Sequence, residues 1–422
     1  MNETDQAASP GPFFARPAVA VETIPIGPGV PLGIEQITNS RVGIGGAYGA
    51  WGACYDNVTL PALVERQLGH ALDDEGRMNL AELGFLYRHH IPPLSPQEHV
   101  ALEVQTAGRF LAAAAAASGW APADVDAVLI GATTPATDDW LERAAALAGI
   151  GDAALKVTIH KACDGGVAGL NLALNPTLTM GNLPGPSLAA ELLGKRVLVG
   201  GIEGLSRVLG ATYDRQALQL FGNGAGVFGV IPGRTMKFLA GDTFETYDEE
   251  GLLQVRMSYP HSRRRAEGQS LIEVTQTGAH SYRVAGLQHE PEEGAGAVVM
   301  AGPMGMVKLF VRTGVAAVKR AYGAYRNLMA QQGTPGREIA VALVHHANYK
   351  INQLKAKQLQ RDGITFPMPW LLCDFGNVSA ASAMIAFLRW LPSLAPAEHV
   401  LFDGFGAGTY YDVVAVEMGG AS

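Results

Sequence analysis

Short apolar runs of four to six residues, rich in β-branched side chains, alternate along the chain with longer segments of helical periodicity. Such alternation is typical of α/β proteins, in which helices cover a buried sheet. The run Ala-Val-Leu-Ile at 127–130 has no polar position, which favours a strand covered on both faces. The pattern predicts strands at 125–130, 157–160, 196–200, 227–231, 340–345 and 399–403, and helices at 101–117, 165–174, 307–331 and 351–360.

The order of these elements repeats in the two halves of the chain. A strand ending at Gly131 precedes a small-residue turn at Cys163, and a later strand ending at His345 precedes a similar turn at Asn377. The interval is 32 residues in both cases, and another strand and a glycine-rich segment follow each turn. Repeated order of this kind indicates duplicated structural units. We therefore predict two related α/β halves, at 41–233 and 234–422.

The N-terminal region differs from the rest of the chain in composition. Residues 1–40 carry six prolines and little hydrophobic periodicity. Prolines restrict the backbone and remove hydrogen-bond donors, so a segment rich in them disfavours regular elements. We predict an extended arm over residues 1–40.

Composition and charge exclude several classes of function. The 422 residues are 48% hydrophobic and 17% charged, with a formal net charge of −8. An acidic chain is a poor match for non-specific nucleic-acid binding, which needs a basic surface. The longest apolar stretches fall short of the roughly 18–20 residues of a membrane span, and three scattered cysteines suit neither a disulfide framework nor a zinc site. We expect a soluble cytoplasmic protein without nucleic acid, membrane or metal partners.

Cys163 is a candidate nucleophile because it lies between a predicted strand and a predicted helix, with Gly165 and Gly166 directly behind it. The N-terminus of a helix carries a partial positive charge that favours a thiolate. The glycines allow a substrate to approach the backbone closely. The alternative is that the thiol is simply a small buried side chain, as many cysteines are.

His345 and Asn377 are the other two candidates for chemistry. His345 follows an apolar strand, where a turn can direct the imidazole into a cleft to handle protons or polarise a carbonyl. Asn377 lies in Gly-Asn-Val-Ser-Ala-Ala-Ser at 376–382, and its amide can donate to an oxyanion without titrating. The alternatives are a solvent-exposed histidine at a strand end and a helix N-cap asparagine.

In combination these segments resemble the thiolase superfamily and, within it, the β-ketoacyl-acyl-carrier-protein synthase III family. The matching motifs follow the family's order over residues 41–418. They are Ala-Cys at 162–163, Phe-Gly-Asn-Gly-Ala-Gly at 221–226, Met-Ala-Gly at 300–302 with Lys308, His-His-Ala-Asn at 345–348, Gly-Asn-Val-Ser-Ala-Ala-Ser at 376–382 and Phe-Gly-Ala-Gly at 405–408.

The resemblance implies a five-layered αβαβα fold built from two duplicated halves, in a homodimer. It implies that Cys163 takes an acyl group from a thioester, and that His345 and Asn377 bind the oxygen of a malonyl-type thioester while carbon dioxide leaves. The backbone N–H groups of Cys163 and Ala407 would form a second oxyanion hole. Ala407 stands where the family has glycine, which a backbone donor tolerates.

The resemblance also implies a binding path for coenzyme A or phosphopantetheine thioesters, as substrates and not as permanently bound cofactors. Arg215 and Arg88 match arginines that contact the coenzyme A nucleotide, and Asn348 would line the pantetheine tunnel. The family's adenine-stacking tryptophan would fall at Gly84 and is missing.

Three lysines, Lys308, Lys350 and Lys357, match a basic patch for an acidic acyl carrier protein, although solvated helix lysines are an equal alternative. Trp140 matches a loop that reaches across the dimer into the partner's acyl pocket, and the alternative is an ordinary interface aromatic. Lys161 replaces a small apolar residue and either lowers the pKa of the Cys163 thiol or points to solvent.

Several functions stay open at this point. The first is decarboxylative condensation of an acyl thioester with a malonyl or β-keto acyl thioester, in fatty acid, polyketide or another specialised acyl pathway. The second is acyl transfer from Cys163 to a hydroxyl or amine. The third is a non-catalytic partner subunit of a heterodimeric synthase, which an intact set of Cys163, His345 and Asn377 disfavours.

Overall fold

Two β-sheets, with helices between and outside them, arrange the chain in five layers. The structure is a computed structural model that describes residues 22–133, 136–179, 183–245, 256–257, 272–286, 298–300, 308–406 and 410–420. In the described part of the chain, every helix is too short or too polar to cross a bilayer.

The strands are β1 (Glu22–Ile24), β2 (Val30–Asn39), β3 (Ile44–Trp51), β4 (Ala53–Asp56), β5 (Tyr87–His90), β6 (Ala127–Gly131), β7 (Leu155–His160), β8 (Val197–Glu203), β9 (Gly224–Val230), β10 (Met236–Glu245), β11 (Arg256–Met257), β12 (Ile272–Gly278), β13 (Ser281–Gly286), β14 (Val298–Val299), β15 (Ile339–Val344), β16 (His399–Gly406) and β17 (Tyr410–Met418). The α-helices are α1 (Leu60–Leu68), α2 (Pro96–Ala117), α3 (Trp140–Leu147), α4 (Gly165–Leu174), α5 (Leu188–Leu192), α6 (Leu205–Leu209), α7 (Arg215–Leu220), α8 (Gly314–Gln331), α9 (Tyr349–Arg361) and α10 (Ser382–Trp390).

The two sheets contain the same four-stranded unit. In the nine-stranded sheet, of order β1-β2-β3-β9-β8-β6-β7-β13-β12, β3 and β8 are antiparallel to β9, and β6 is parallel to β8. In the four-stranded sheet, of order β10-β17-β16-β15, β10 and β16 are antiparallel to β17, and β15 is parallel to β16. The predicted duplication is therefore present in the fold.

Three packed layers of side chains separate the elements. Helices α4 and α10 lie between the sheets, and all ten residues of α4 are buried. Along β6, Leu129 faces this central layer, while Val128 and Ile130 face α2 and α3 on the outer side. Helices α8 and α9 cover the outer face of the four-stranded sheet. This is the predicted αβαβα order, and it explains why the strands are apolar on both faces.

The two halves also share a strained turn. Ala162 and Ser379 both have positive φ, 49° and 46°, and each begins a 3-10 turn that leads into a central helix, α4 or α10. Side chains rarely adopt this conformation, so the repeated strain marks equivalent positions. In the structural repeat, Cys163 is therefore equivalent to Ala380 and not to Asn377. The sequence spacing of 32 residues aligned Cys163 with Asn377, which is three residues away from the structurally equivalent position.

Two predicted boundaries need correction. Residues 22–24 and 30–39 of the predicted arm are strands of the nine-stranded sheet, because Val30 and Leu32 are buried against the α2 layer. Residues 1–21 of the predicted arm lie outside the described residues. The hairpin of β12 and β13, from the second half of the sequence, extends the sheet of the first half by pairing parallel to β7.

Candidate active site

Cys163 lies in the 3-10 turn Ala162–Asp164, directly before α4, and is partly buried. Glycines bring other backbone segments against this turn. A Cβ on Gly406 would lie 3.0 Å from the Cys163 nitrogen, and a Cβ on Gly131 would lie 2.3 Å from the carbonyl carbon of Gly165. A side chain at either position would push the turn out of place, so these glycines are required for its position.

His345 follows β15 and is fixed from three directions. Its backbone N–H donates to Asp403 O over 2.9 Å, and its ring lies edge-on to Phe405 with centroids 5.0 Å apart. Its Nδ1 is 2.5 Å from Ser382 Oγ. Burial, with smaller contributions from His346 and Lys355, holds the pKa of His345 well below its ordinary value. The imidazole is therefore neutral at physiological pH.

Ser382 determines which nitrogen of His345 carries the proton. The backbone N–H of His346 donates to Ser382 Oγ over 3.3 Å. With one lone pair of Oγ occupied in this way, we assign the hydroxyl hydrogen of Ser382 to Nδ1 of His345, and in this assignment Nε2 is the N–H donor. We infer this tautomer from the hydrogen-bond network. Ser382 ends the Asn377 motif, but no sequence pattern indicated this role for it.

Asn377 is oriented by its own turn. Its Oδ1 accepts from the backbone N–H of Ser379 over 2.9 Å, and its backbone N–H donates to Leu220 O over 2.8 Å. Because the amide oxygen is occupied, the amide NH₂ points the other way and can donate. The predicted capping role and the predicted donor role are thus compatible.

The structure brings the turns that carry these three residues into one region. The Asp403–Gly406 end of β16 contacts both sides, because Gly406 lies against the Cys163 turn and Phe405 against the His345 ring. The turn after Asn377 packs on the helix start after Cys163, where a Cβ on Gly165 would be 3.4 Å from Ala380 Cβ. The arrangement offers a nucleophile at a helix start and neutral N–H donors nearby. Ala407, the predicted second oxyanion donor, lies outside the described residues.

The two predicted nucleotide-binding arginines are placed differently. Arg215 begins α7, is 46% exposed, and is 3.1 Å from Asp73. Arg88 is fully buried, and its guanidinium donates to Gln219 O over 2.9 Å and to Asn57 Oδ1 over 2.5 Å. These bonds join the antiparallel strand pair of β4 and β5 to α7, so in this structure Arg88 is an internal brace and not a surface contact for a ligand.

An indole does lie at Gly84, although the sequence has no tryptophan there. Trp370 Nε1 donates to Gly84 O over 2.8 Å, and its ring packs on Phe85 and His346 with centroids 5.3 and 4.5 Å away. Gly84 has φ of 87°, and a Cβ there would lie 2.6 Å from the indole. The glycine is therefore the residue that lets Trp370 occupy this position.

The remaining predicted contacts lie around α9. Asn348 is the N-cap of this helix, where its Oδ1 accepts from the backbone N–H of Lys350 over 2.9 Å. Lys350 is 53% exposed and lies 2.6 Å from Glu82. Lys357 is exposed at the edge of a 310 Å³ groove that Leu359, Ile364, Phe366 and Met368 also line. The side chain of Lys308 lies outside the described residues.

Trp140 and Lys161 depart from what the sequence indicated. Trp140 begins α3, is 3% exposed, and packs in the outer helix layer of its own chain, so it does not extend toward a partner subunit. Lys161 is fully buried rather than solvent-exposed. Its ammonium pairs with Asp412 and lies 3.4 Å from Asp164 and 3.3 Å from Glu245. Sequence analysis did not anticipate this group of charges, because its members are far apart in the chain.

The five-layered αβαβα arrangement is the thiolase-like fold that the sequence predicts, and solved structures share it. Residues 329–418, which contain His345 and Asn377, match the family model for the C-terminal part of 3-oxoacyl-[acyl-carrier-protein] synthase III. The predicted resemblance to the β-ketoacyl synthase III family is confirmed for residues 329–418 by this match, and the predicted fold is confirmed for the described chain.

Solved structures with the same fold cover nearly the whole chain. The 3-oxoacyl-[acyl-carrier-protein] synthase III of Aquifex aeolicus VF5 has a TM-score of 0.59 and 18% identity, over 90% of this chain and 99% of that one. The synthase III of Pseudomonas aeruginosa PAO1 has a TM-score of 0.57 and 21% identity, over 91% of this chain and 98% of that one. A fungal type III polyketide synthase has a TM-score of 0.60 and 16% identity, over 90% of this chain and 99% of that one. A comparison with curated protein sequences gave no significant match.

Proposed function

We propose that this protein is a β-ketoacyl synthase III-like enzyme that carries out a decarboxylative Claisen condensation of two thioesters. The observation that carries the proposal is the state of His345. It is neutral, and Ser382 leaves its Nε2–H free to donate, with the Asn377 amide as a second donor. Two neutral donors stabilise an oxyanion without transferring a proton to it, as an enolate intermediate requires.

The first half of the proposed reaction loads the enzyme. The Cys163 sulfur attacks the carbonyl carbon of an acyl thioester, and the bond from that carbon to the donor's sulfur breaks. The proton of the Cys163 thiol ends on the departing thiol of coenzyme A or of phosphopantetheine. The N-terminus of α4 supports this step, since its partial positive charge favours the thiolate.

The second half forms the new carbon–carbon bond. The bond between the malonyl α-carbon and its carboxylate breaks, carbon dioxide leaves, and the electron pair forms an enolate whose oxygen accepts from His345 and Asn377. The α-carbon then attacks the acyl carbonyl on Cys163, and the bond to the sulfur breaks. The released thiolate takes up one proton from solvent, which restores the enzyme.

Surface features support delivery of thioesters by coenzyme A or by an acidic carrier protein. Arg215 is exposed for a phosphate, and Lys350 and Lys357 lie on α9, which begins three residues after His346. Exposed cations on a protein of net charge −8 would steer an acidic partner to this face. The proposal includes a cytoplasmic homodimer acting in fatty acid, polyketide or related acyl metabolism.

Intact-protein mass spectrometry tests this function. The protein and its Cys163→Ala variant would be incubated with a panel of acyl-coenzyme A and acyl-carrier-protein donors, and then with a malonyl thioester. We expect an acyl adduct that the variant lacks and that malonyl thioester discharges with release of carbon dioxide. Discharge only onto an alcohol or amine would identify an acyltransferase instead. An absence of adduct with every donor would favour a non-catalytic partner subunit.

A further inference from the structure

A group of buried charges lies directly behind the Cys163 turn. Lys161 is two residues before Cys163, and its Nζ pairs with Asp412 at the start of β17. The same ammonium is 3.4 Å from Asp164, which follows Cys163, and 3.3 Å from Glu245 at the end of β10. The nucleophile is thus flanked in sequence by two charged residues that meet behind it.

Burial of these groups is nearly complete. The side chains of Lys161 and Asp164 are 0% exposed, that of Asp412 is 1% exposed, and that of Glu245 is 21% exposed. A buried ion pair gains little stability over apolar residues of similar size, because desolvation offsets the attraction. Stability alone therefore gives little reason for burying this pair.

The carboxyl groups around Lys161 keep its ammonium protonated. Burial by itself would lower the pKa of Lys161, but Asp412, Asp164 and Glu245 outweigh it and hold the pKa above its ordinary value. Burial and the nearby carboxylate of Asp412 raise the pKa of Asp164 well above its ordinary value, against the opposing effect of Lys161. A second buried pair, Lys355 with Asp403, lies on the His345 side of the same region.

The ion pair joins segments that must keep their relative positions. Lys161 leads into Ala162, whose positive φ persists only when the surroundings enforce it. Asp412 lies on β17, five residues after Ala407, and its other oxygen accepts from Asn171 Nδ2 of α4 over 2.7 Å. A strained turn, the helix behind it and the strand after the predicted oxyanion loop are therefore connected at one point.

We propose that Lys161 is a positioning residue, which through its ion pair with Asp412 holds the strained turn so that the Cys163 thiol and backbone N–H face the substrate. This inference rests on the proposed role of Cys163 as the nucleophile. Lys161 itself does not touch the reacting atoms. Its contribution is to the geometry of Cys163, so it affects the rate of reactions at sulfur and not the binding of the donor.

The test compares Lys161→Met, Asp412→Asn and the double variant with the native protein. The readout is the rate of Cys163 alkylation by iodoacetamide across pH, followed by peptide mass, beside acyl loading kinetics and the melting temperature. Alkylation needs no thioester, so it reports on Lys161 even if the proposed condensation is wrong. Cys54 is exposed, but burial and nearby carboxylates raise its pKa to about 11, so it reacts slowly at neutral pH.

We expect Lys161→Met to melt lower, because it leaves three carboxyl groups without their ammonium, and Asp412→Asn to melt less far below native, because Asp164 and Glu245 still face Lys161. The double variant should recover part of the melting temperature lost in Lys161→Met, since Asp164 and Glu245 still lack their cation, and should alkylate and acylate about tenfold more slowly than the native protein, with an unchanged KM for the donor. Native alkylation rates in the double variant would overturn the proposal, since the pair would then be structural only. Lys237→Met is the matched control, because it removes an exposed ion pair with Glu417, which lies on the same strand as Asp412.

A milder variant keeps the proposal testable if the charge variants do not fold. Asn171→Ala removes the hydrogen bond to Asp412 and leaves both charges in place. We expect alkylation of Cys163 to slow about threefold, with a smaller fall in melting temperature than in Lys161→Met, since the variant also loses hydrogen bonds to Asp242 O and from Asn175. A native rate in this variant would contradict the positioning role.

Discussion

Ser382 Oγ lies 2.5 Å from Nδ1 of His345, although 37 residues separate them in the chain. The serine begins α10, and the histidine follows β15. The hydrogen bond turns the imidazole so that its other nitrogen is the donor.

Replacing Ser382 with alanine should therefore slow the decarboxylation step and spare the loading step. The variant loses one hydrogen bond of about 1 kcal/mol, and His345 can then also adopt the other tautomer. We therefore expect carbon dioxide release to be about tenfold slower. Acyl adduct formation on Cys163 should stay within twofold of native in the same sample. Ser187→Ala, which removes only the N-cap of α5, is the control. Equal losses in both steps would contradict the assignment.

The pH dependence of decarboxylation follows from the neutral state of His345. Burial lowers its pKa well below the ordinary value of 6.5, so the proton leaves at lower pH and the imidazole is neutral throughout the range above. Release of carbon dioxide from a malonyl thioester should therefore show no acid limb with a midpoint near 6.5. Initial rates between about pH 5.5 and 8 check this. An acid limb near 6.5 that His345→Gln abolishes would show that the imidazole titrates normally.

Glu203 predicts a pH-dependent change in stability. Its carboxylate accepts from Thr133 N and Ala380 N over 2.9 and 3.0 Å, yet burial raises its pKa to about 7 from an ordinary 4.5. Between about pH 4.5 and pH 7, the native state therefore keeps a proton on Glu203 that the unfolded state has released. The free energy of unfolding falls as the pH rises through this range. Above pH 7 the cost is complete, at most about 3 kcal/mol.

Glu203→Gln should remove this dependence while keeping an acceptor oxygen. The free energy of unfolding of the variant, measured in urea, should increase relative to that of the native protein as the pH rises from about 5 to about 8. The exposed Glu75→Gln is the control. A difference between Glu203→Gln and native protein that does not vary with pH would contradict the ionisation of Glu203.

Arg215→Ala should weaken donor binding without slowing chemistry. Loss of one charge-assisted contact to a phosphate predicts about a tenfold higher KM for an acyl-coenzyme A donor, with kcat unchanged. Added salt should reduce the difference, because the contact is exposed and screened. Arg326→Ala, which removes a partly exposed arginine of α8 that donates to Arg337 O, is the control. A fall in kcat at constant KM would place Arg215 in the chemical step instead.

Trp140→Phe should leave acyl selectivity unchanged, since Trp140 lies in the core of its own chain. The indole Nε1 is buried, and among the described residues it has no hydrogen-bond partner. Phenylalanine removes that unsatisfied donor, so the loss in free energy of unfolding should stay below about 1.5 kcal/mol, whereas alanine should cost about 3–5 kcal/mol. Urea unfolding and a chain-length series of donors measure the two effects. A shifted chain-length preference would mean that Trp140 reaches an acyl pocket.

The layers and the positions of the reactive residues could be predicted from the sequence because their signals are local. Strands such as β6 are apolar on both faces, and Cys163, His345 and Asn377 lie in short motifs next to strands and helices. The placement of Arg88, Trp140 and Lys161 could not be predicted in this way. Lys161 is buried because Asp412, 251 residues later, meets it across the central layer. A pairing between residues so far apart leaves no periodic pattern in the sequence. A single lysine or tryptophan is equally compatible with a position on the surface and with one in an interface.

The hairpin of β12 and β13 has a consequence for how the nucleophile is supported. Strand β7, which ends two residues before Ala162, is hydrogen-bonded to β6 on one side and to β13 on the other. The backbone on both sides of β7 is therefore engaged within its own chain, and a second subunit cannot lengthen the sheet there. The turn therefore follows a strand whose two sheet neighbours belong to its own chain, and we expect the reactivity of Cys163 toward iodoacetamide to be independent of protein concentration.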